Sequence, residues 1–121
     1  MINIENVSYK YKNGKNVLKN ISFSIKNGEI VTIVGKNGSG KSTIGKLISG
    51  ILKLKEGCIS IDGMDISKRK NRELISSKIG IVFQNPDSQI IFSNIKEEFS
   101  YITQDENIID DALKYVDMLE Y

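Results

Sequence analysis

Histidine is absent from the 121 residues, so the chain has no imidazole base and no histidine metal ligand. Cysteine occurs once, at Cys58, which excludes an internal disulfide and fits a reducing compartment. It lies in Cys58-Ile59-Ser60-Ile61, which reads as a strand, and is expected to be a small core residue. No apolar stretch approaches the ~20 residues needed to span a bilayer. Met1-Ile2-Asn3-Ile4-Glu5 lacks a signal-peptide layout, so a cytoplasmic chain is expected. Neither sign of charge dominates. The formal net charge is +2, too small to point to nucleic acid. Lys68-Arg69-Lys70-Asn71-Arg72 is a basic cluster without interleaved aromatics, and reads as a solvated helix start or loop.

What is present is ordinary in bulk. With 40% hydrophobic and 26% charged residues, the chain has the composition of a soluble globular protein. Its length suits one domain or part of one.

One segment is not ordinary. Gly35-Lys36-Asn37-Gly38-Ser39-Gly40-Lys41-Ser42 is a complete G-x-x-x-x-G-K-[ST] phosphate-binding loop. The apolar run Ile30-Val31-Thr32-Ile33-Val34 before it suits a buried parallel strand. Ile44, Leu47, Ile48 and Ile51 after it recur at helical spacing. Strand, glycine loop and helix form the context in which the motif works. A triphosphate needs many donors at short range. Gly35, Gly38 and Gly40 allow successive N–H groups to turn into one concavity. The following helix adds free N–H groups and the positive end of its dipole. Lys41 is expected to reach the β- and γ-phosphates, and the Ser42 hydroxyl to ligate Mg²⁺. Thr43 is expected beside the phosphates.

Around the loop, Ile2, Ile4 and Val7 predict a first strand. A hairpin signal stands at Asn13-Gly14, and residues 17–25 predict the return. The spacing predicts a helix over 43–52, a strand over 58–62 closed by Gly63, and a mixture of loop and short helix over 65–78. Ile79-Gly80-Ile81-Val82-Phe83 predicts a buried strand ending at Gln84. Pro86 keeps Asn85 out of the helical region, so Asn85-Pro86-Asp87-Ser88 reads as a loop. A helical stretch begins with Ile95, Phe99 and Ile102. A second amphipathic helix follows, with Asn107 as N-cap and Asp110 and Asp111 in its first turn.

Four blocks now carry a resemblance. They are Val7-Ser8-Tyr9-Lys10-Tyr11, Val17-Leu18-Lys19-Asn20-Ile21-Ser22-Phe23, Gly35 to Thr43, and Val82-Phe83-Gln84-Asn85-Pro86. The chain resembles the nucleotide-binding subunit of ATP-binding-cassette (ABC) transporters. Phe83-Gln84-Asn85-Pro86-Asp87-Ser88-Gln89 is most similar to the energy-coupling-factor subfamily. The resemblance implies an α/β P-loop NTPase core with an N-terminal antiparallel β region and the start of a helical subdomain. It divides the chain at 1–29, 30–84 and 85–121. It implies ATP and Mg²⁺ as ligands, Tyr11 stacking on adenine, and Gln84 touching Mg²⁺ or the attacking water. Lys41 and Gln84 are then the catalytic candidates, and Ser42 and Gln84 the metal candidates. A membrane-embedded transporter subunit and a second ATPase subunit are the implied partners, with the chain at the cytoplasmic face of the membrane. Asp87 to Phe92 is expected near the surface that meets the membrane subunit, although Ile90, Ile91 and Phe92 suit a core equally.

The family also uses a Walker B strand, an LSGGQ-type signature and a switch histidine, and this sequence has no counterpart of them. The expectation is the N-terminal portion of a longer subunit that holds triphosphate loosely, hydrolyses it poorly and exposes sheet edges. Two alternatives stay open: an ATP-binding module without turnover, and another P-loop enzyme such as a small-molecule kinase.

Overall fold

Strand β1 (Ile2–Lys10) buries Ile4, Val7 and Tyr9, and its inward phase changes between Ile4 and Val7. In the computed structural model, which describes residues 1–12, 14–85 and 89–119, a register shift marks that change. Asn6 takes a φ of 51° there. Asn tolerates this left-handed conformation better than most residues. One extra residue in β1 lets Ile4 and Val7 face the same side. The neighbouring strand meets this bulge with a glycine. A Cβ on Gly57 would lie 2.5 Å from the Asn6 carbonyl oxygen and 2.6 Å from that of Glu5.

Among the described residues the sheet has four strands in the order β2-β1-β3-β4. Strand β2 (Asn16–Ile25) pairs antiparallel with β1, Ile4 opposite Phe23. Strand β3 (Glu56–Ile61) pairs antiparallel with its other edge, Ile4 opposite Ile59. Strand β4 (Met64–Asp65) folds back on β3. The predicted β1–β2 hairpin is present. It is closed by Tyr11 N–H to the Lys15 carbonyl at 3.1 Å and Gly14 N–H to the Tyr11 carbonyl at 3.0 Å. Asn13 lies outside the described residues. The β3–β4 hairpin extends beyond the predicted strand over 58–62. Asp62 and Gly63 have φ of 49° and 76°, the double positive φ of a type I′ turn.

Helix α1 (Lys41–Ile48) starts at the end of the glycine loop and stops short of the predicted boundary. Gly50, with φ 75°, closes it. The Gly50 N–H bonds the Leu47 carbonyl at 3.1 Å and the Leu52 N–H bonds that of Lys46 at 2.9 Å. Helix α2 (Arg69–Ser76) carries the basic cluster on its exposed start. Leu47 and Ile75, from the two helices, join Ile4, Val7, Tyr9, Leu18, Ile59, Ile61 and Ile66 in one core. Leu47 is completely buried. A side chain of that size contributes about 1.5–3 kcal/mol by leaving water.

Two predicted strands are not observed. Ile30–Val34 lies outside the sheet, with Ile30 98% and Val34 84% exposed. Ile79–Phe83 is not a strand either, and Val82 is 88% exposed. A strand buried on both faces needs neighbours to bond and layers to cover it. The four strands present pair among themselves, and their order leaves neither run between them.

The described residues fall into two units, Met1–Ile81 and Val82–Tyr121. The second contains α3 (Ile95–Ser100) and α4 (Glu106–Tyr115). Asn94 caps α3 by accepting the Lys96 N–H at 2.8 Å. In α4 the cap is Asp105, not Asn107: its carboxylate accepts the Asn107 N–H at 3.0 Å. That bond satisfies an otherwise free helix donor, so the helix starts earlier than predicted and Glu106 takes the first turn. Asp110 and Asp111 lie deeper in the helix. Ile109 and Leu113, one turn apart, are its buried residues.

Candidate functional site

The glycine loop is held in shape from inside. Lys41 Nζ donates to the carbonyl oxygens of Gly35 at 2.9 Å and Lys36 at 3.0 Å. The Ser39 N–H donates to the Lys36 carbonyl at 3.2 Å, and the Ile44 N–H to that of Gly40 at 3.0 Å. The first bond closes a turn of the loop and the second begins α1. No carboxylate occurs in residues 35–43, which carry Lys36 and Lys41. The loop and the helix start therefore present positive charge and backbone donors together.

The loop is seated on β2. Gly40 is buried, with φ 101°. A Cβ there would lie 2.7 Å from Leu18 Cδ2, 3.0 Å from Val17 Cγ1 and 3.2 Å from the Val17 carbonyl oxygen. Only glycine fits both the conformation and the space. Val17 and Leu18 are thus supports that the motif alone does not reveal.

Tyr11 is brought to the same place. Its hydroxyl and that of Thr43 are 3.1 Å apart and hydrogen-bonded. Its ring meets Tyr9 edge-on, with centroids 5.0 Å apart and planes at 86°. Thr43 is buried beneath this contact, whereas Ser42, one residue earlier on α1, is exposed. Tyr11 also lines a hollow of about 610 Å³, together with Lys10, Lys12, Lys19, Lys55 and the acidic Glu56. Lys15, on the turn after Tyr11, was not among the predicted site residues. Its Nζ is 3.9 Å from the position a Cβ would take on Gly38. The lysine-rich spacing of residues 10–19 was the available signal.

Gln84 belongs to the second unit and is exposed. Next to it, the Phe83 N–H donates to Gln89 Oε1 at 2.9 Å. Ile90 and Ile91 are exposed and Phe92 is half-buried, which favours surface over core for the first two. Pro86, Asp87 and Ser88 lie outside the described residues.

The groups with shifted acidity lie elsewhere. Burial, then the Asp65 and Glu5 carboxylates, pushes the half-buried Cys58 thiol up, away from the reactive thiolate. Hydrogen bonds from the N-terminal ammonium and Lys78 lower the Asp62 carboxyl to about 2. Their distances are 2.7 Å and 3.0 Å. Bonds from Ser67 lower Asp65.

Comparison with known proteins places this geometry. The ABC transporter family model matches residues 18–121. The energy-coupling factor transporter ATP-binding protein EcfA1 of Fusobacterium nucleatum is 46% identical over 129 aligned positions. Those cover 100% of this chain and 48% of that protein. EcfA1 of Ligilactobacillus salivarius is 38% identical, again over 100% of this chain and 46% of its own length. Among solved structures, cbiO1 from Clostridium perfringens, described as part of the ABC transporter complex cbiONQ, gives a TM-score of 0.78. Its identity is 35%, over 93% of this chain and 49% of that one. A dimeric ATP-binding cassette in a post-hydrolysis state, bound to ADP and Pi, gives 0.56 at 36% identity. That match covers 63% of this chain and 35% of that one. This chain spans about half the length of the curated relatives it matches. Its antiparallel β region and helices are those of the ATP-binding-cassette domain.

Proposed function

The chain belongs to the ABC transporter family, and on that premise we propose that it binds ATP to energise uptake through an energy-coupling-factor type transporter. One observation carries the nucleotide reading. Lys41 Nζ already holds the carbonyls of Gly35 and Lys36 at the start of α1, so the loop is shaped before any anion arrives. A preformed cradle spares the ordering cost of binding. The phosphates take the loop N–H groups and Lys41, and the base stacks on Tyr11. Stacking of this kind is worth about 1–3 kcal/mol in nucleic-acid sites.

Mg²⁺ fits the residue set in one respect: the Ser42 hydroxyl is exposed on the first turn of α1, next to Lys41. Ser42 would hold the ion together with phosphate oxygens, and the ion would neutralise charge on the phosphates. By the family resemblance, Gln84 would contribute its amide to the ion or the attacking water.

Hydrolysis by this chain alone is expected to be weak. Lys41 and Ser42 stabilise charge, but neither is a base that activates water. Turnover, like the membrane-embedded subunit and the second ATPase subunit, belongs to the assembled transporter. Through those partners the chain sits at the cytoplasmic face of the membrane. Among the described residues, no helix is long and apolar enough to cross a membrane. The Tyr11–Thr43 contact favours this reading over a small-molecule kinase, because it joins a hairpin aromatic to the loop helix.

Displacement of a fluorescent ATP analogue tests the binding. ATP and tripolyphosphate should both displace it from the wild-type chain, and Lys41→Ala should not retain it. Equal retention by wild type and variant would overturn the assignment.

A further inference from the structure

Lys15 is the residue near the loop that the nucleotide reading leaves without a role. Its Nζ lies 3.9 Å from the point where Gly38 would carry a Cβ. Its carbonyl accepts the Tyr11 N–H at 3.1 Å, so one turn carries both residues. Two further contacts fix that hairpin against the loop. The Tyr11 and Thr43 hydroxyls are bonded, and Val17 and Leu18 press on Gly40. The position of Lys15 is therefore set by the same packing that shapes the loop.

The charges agree with this placement. Residues 10–19 contain four lysines and no carboxylate, and residues 35–43 add two lysines and no carboxylate. Lys41 faces inward, bonded to loop carbonyls, while Lys15 approaches Gly38 from the hairpin. An ammonium on a flexible stem, with three rotatable donors, suits a phosphate chain whose oxygens point several ways. Gly38 lies within the loop between Gly35 and Lys41, so Lys15 approaches the same segment whose N–H groups the phosphates would take.

We propose that Lys15 is a second phosphate-binding lysine, holding the inner phosphates of a nucleoside polyphosphate from the hairpin side. This rests on the ATP-binding reading above, and deepens it by naming a residue outside the loop motif that selects for polyphosphate. Because Lys15 is exposed, its effect is modest and sensitive to salt.

The test is calorimetric titration of ATP, ADP and tripolyphosphate into the wild-type chain, Lys15→Gln, Lys15→Arg, Lys41→Ala and Tyr11→Ala. Lys15→Gln should lower affinity for all three ligands by about fivefold, and flatten the salt dependence. Lys15→Arg should restore most of the loss. Tyr11→Ala should weaken ATP and ADP more than tripolyphosphate, which separates base from phosphate contacts. Unchanged affinity for tripolyphosphate in Lys15→Gln, while Lys41→Ala abolishes binding, would overturn the role of Lys15 and leave the nucleotide reading standing. No binding by wild type would overturn both.

Discussion

At the scale of single residues, Lys41 and Tyr11 differ in what they hold. Lys41 Nζ bonds the loop carbonyls of Gly35 and Lys36, so Lys41→Ala removes a charge without opening the core. We expect ATP affinity to fall more than tenfold, while stability by chemical denaturation changes by no more than about 0.5 kcal/mol. Tyr11 makes a hydroxyl bond to Thr43 and offers a ring. Tyr11→Phe should cost about 1 kcal/mol of stability and leave ATP affinity nearly unchanged, since the ring remains. A large loss of ATP affinity in Tyr11→Phe would show that the hydroxyl, not the ring, matters. Asp62 gives a pH prediction. Its carboxyl is lowered from 3.8 to about 2, so its two ion pairs stabilise the fold above the ordinary carboxylate range. That contribution should vanish as pH falls from about 4 through about 2. Melting temperatures against pH should show a steeper acid decline for wild type than for Asp62→Asn.

Among the elements, those with a repeating signal were legible and those that depend on neighbours were not. Apolar residues at strand spacing announced β1, β2 and β3, and the helical spacing of Ile108, Ile109, Ala112, Leu113, Val116 and Leu119 announced α4, in which Ile109 and Leu113 are the buried pair. The glycine loop was legible because its chemistry fixes residue types at fixed intervals. The bulge at Asn6 was not, because a change of phase within β1 looks like an interruption until the partner strand is known. Strand β4 is two residues long, too short for any period to show. Its turn, Asp62-Gly63, is a hairpin signal that lies where the predicted strand over 58–62 ends. The runs at 30–34 and 79–83 have the composition of buried parallel strands, yet composition cannot supply a bonded neighbour. Two glycines separate space from conformation. Gly57→Ala puts a Cβ against two backbone oxygens and should destabilise by more than about 2 kcal/mol. Gly63→Ala meets nothing within 4 Å and suffers only its positive φ, so about 1 kcal/mol is expected. Denaturant titration of both variants checks the order, and a larger effect at Gly63 would contradict the bulge packing.

For the molecule as a whole, the site and the sheet are coupled through the β1–β2 hairpin. Tyr11, Val17 and Leu18 link the phosphate loop to a core that contains Tyr9 and Leu18 themselves. The same molecule exposes Ile30, Val34 and Val82. Large exposed apolar side chains in sequence mark contact surfaces or sites of association. Sedimentation velocity should therefore show concentration-dependent association that the double variant Ile30→Thr and Val34→Thr reduces, with no loss in melting temperature. The nucleotide site itself is tested most directly by titrating Mg-ATP into the chain and into Lys41→Ala by calorimetry, with phosphate release followed in the same samples. The account predicts saturable binding that depends on Lys41, with little phosphate released. Binding of equal strength in Lys41→Ala, or its absence from both proteins, would contradict it.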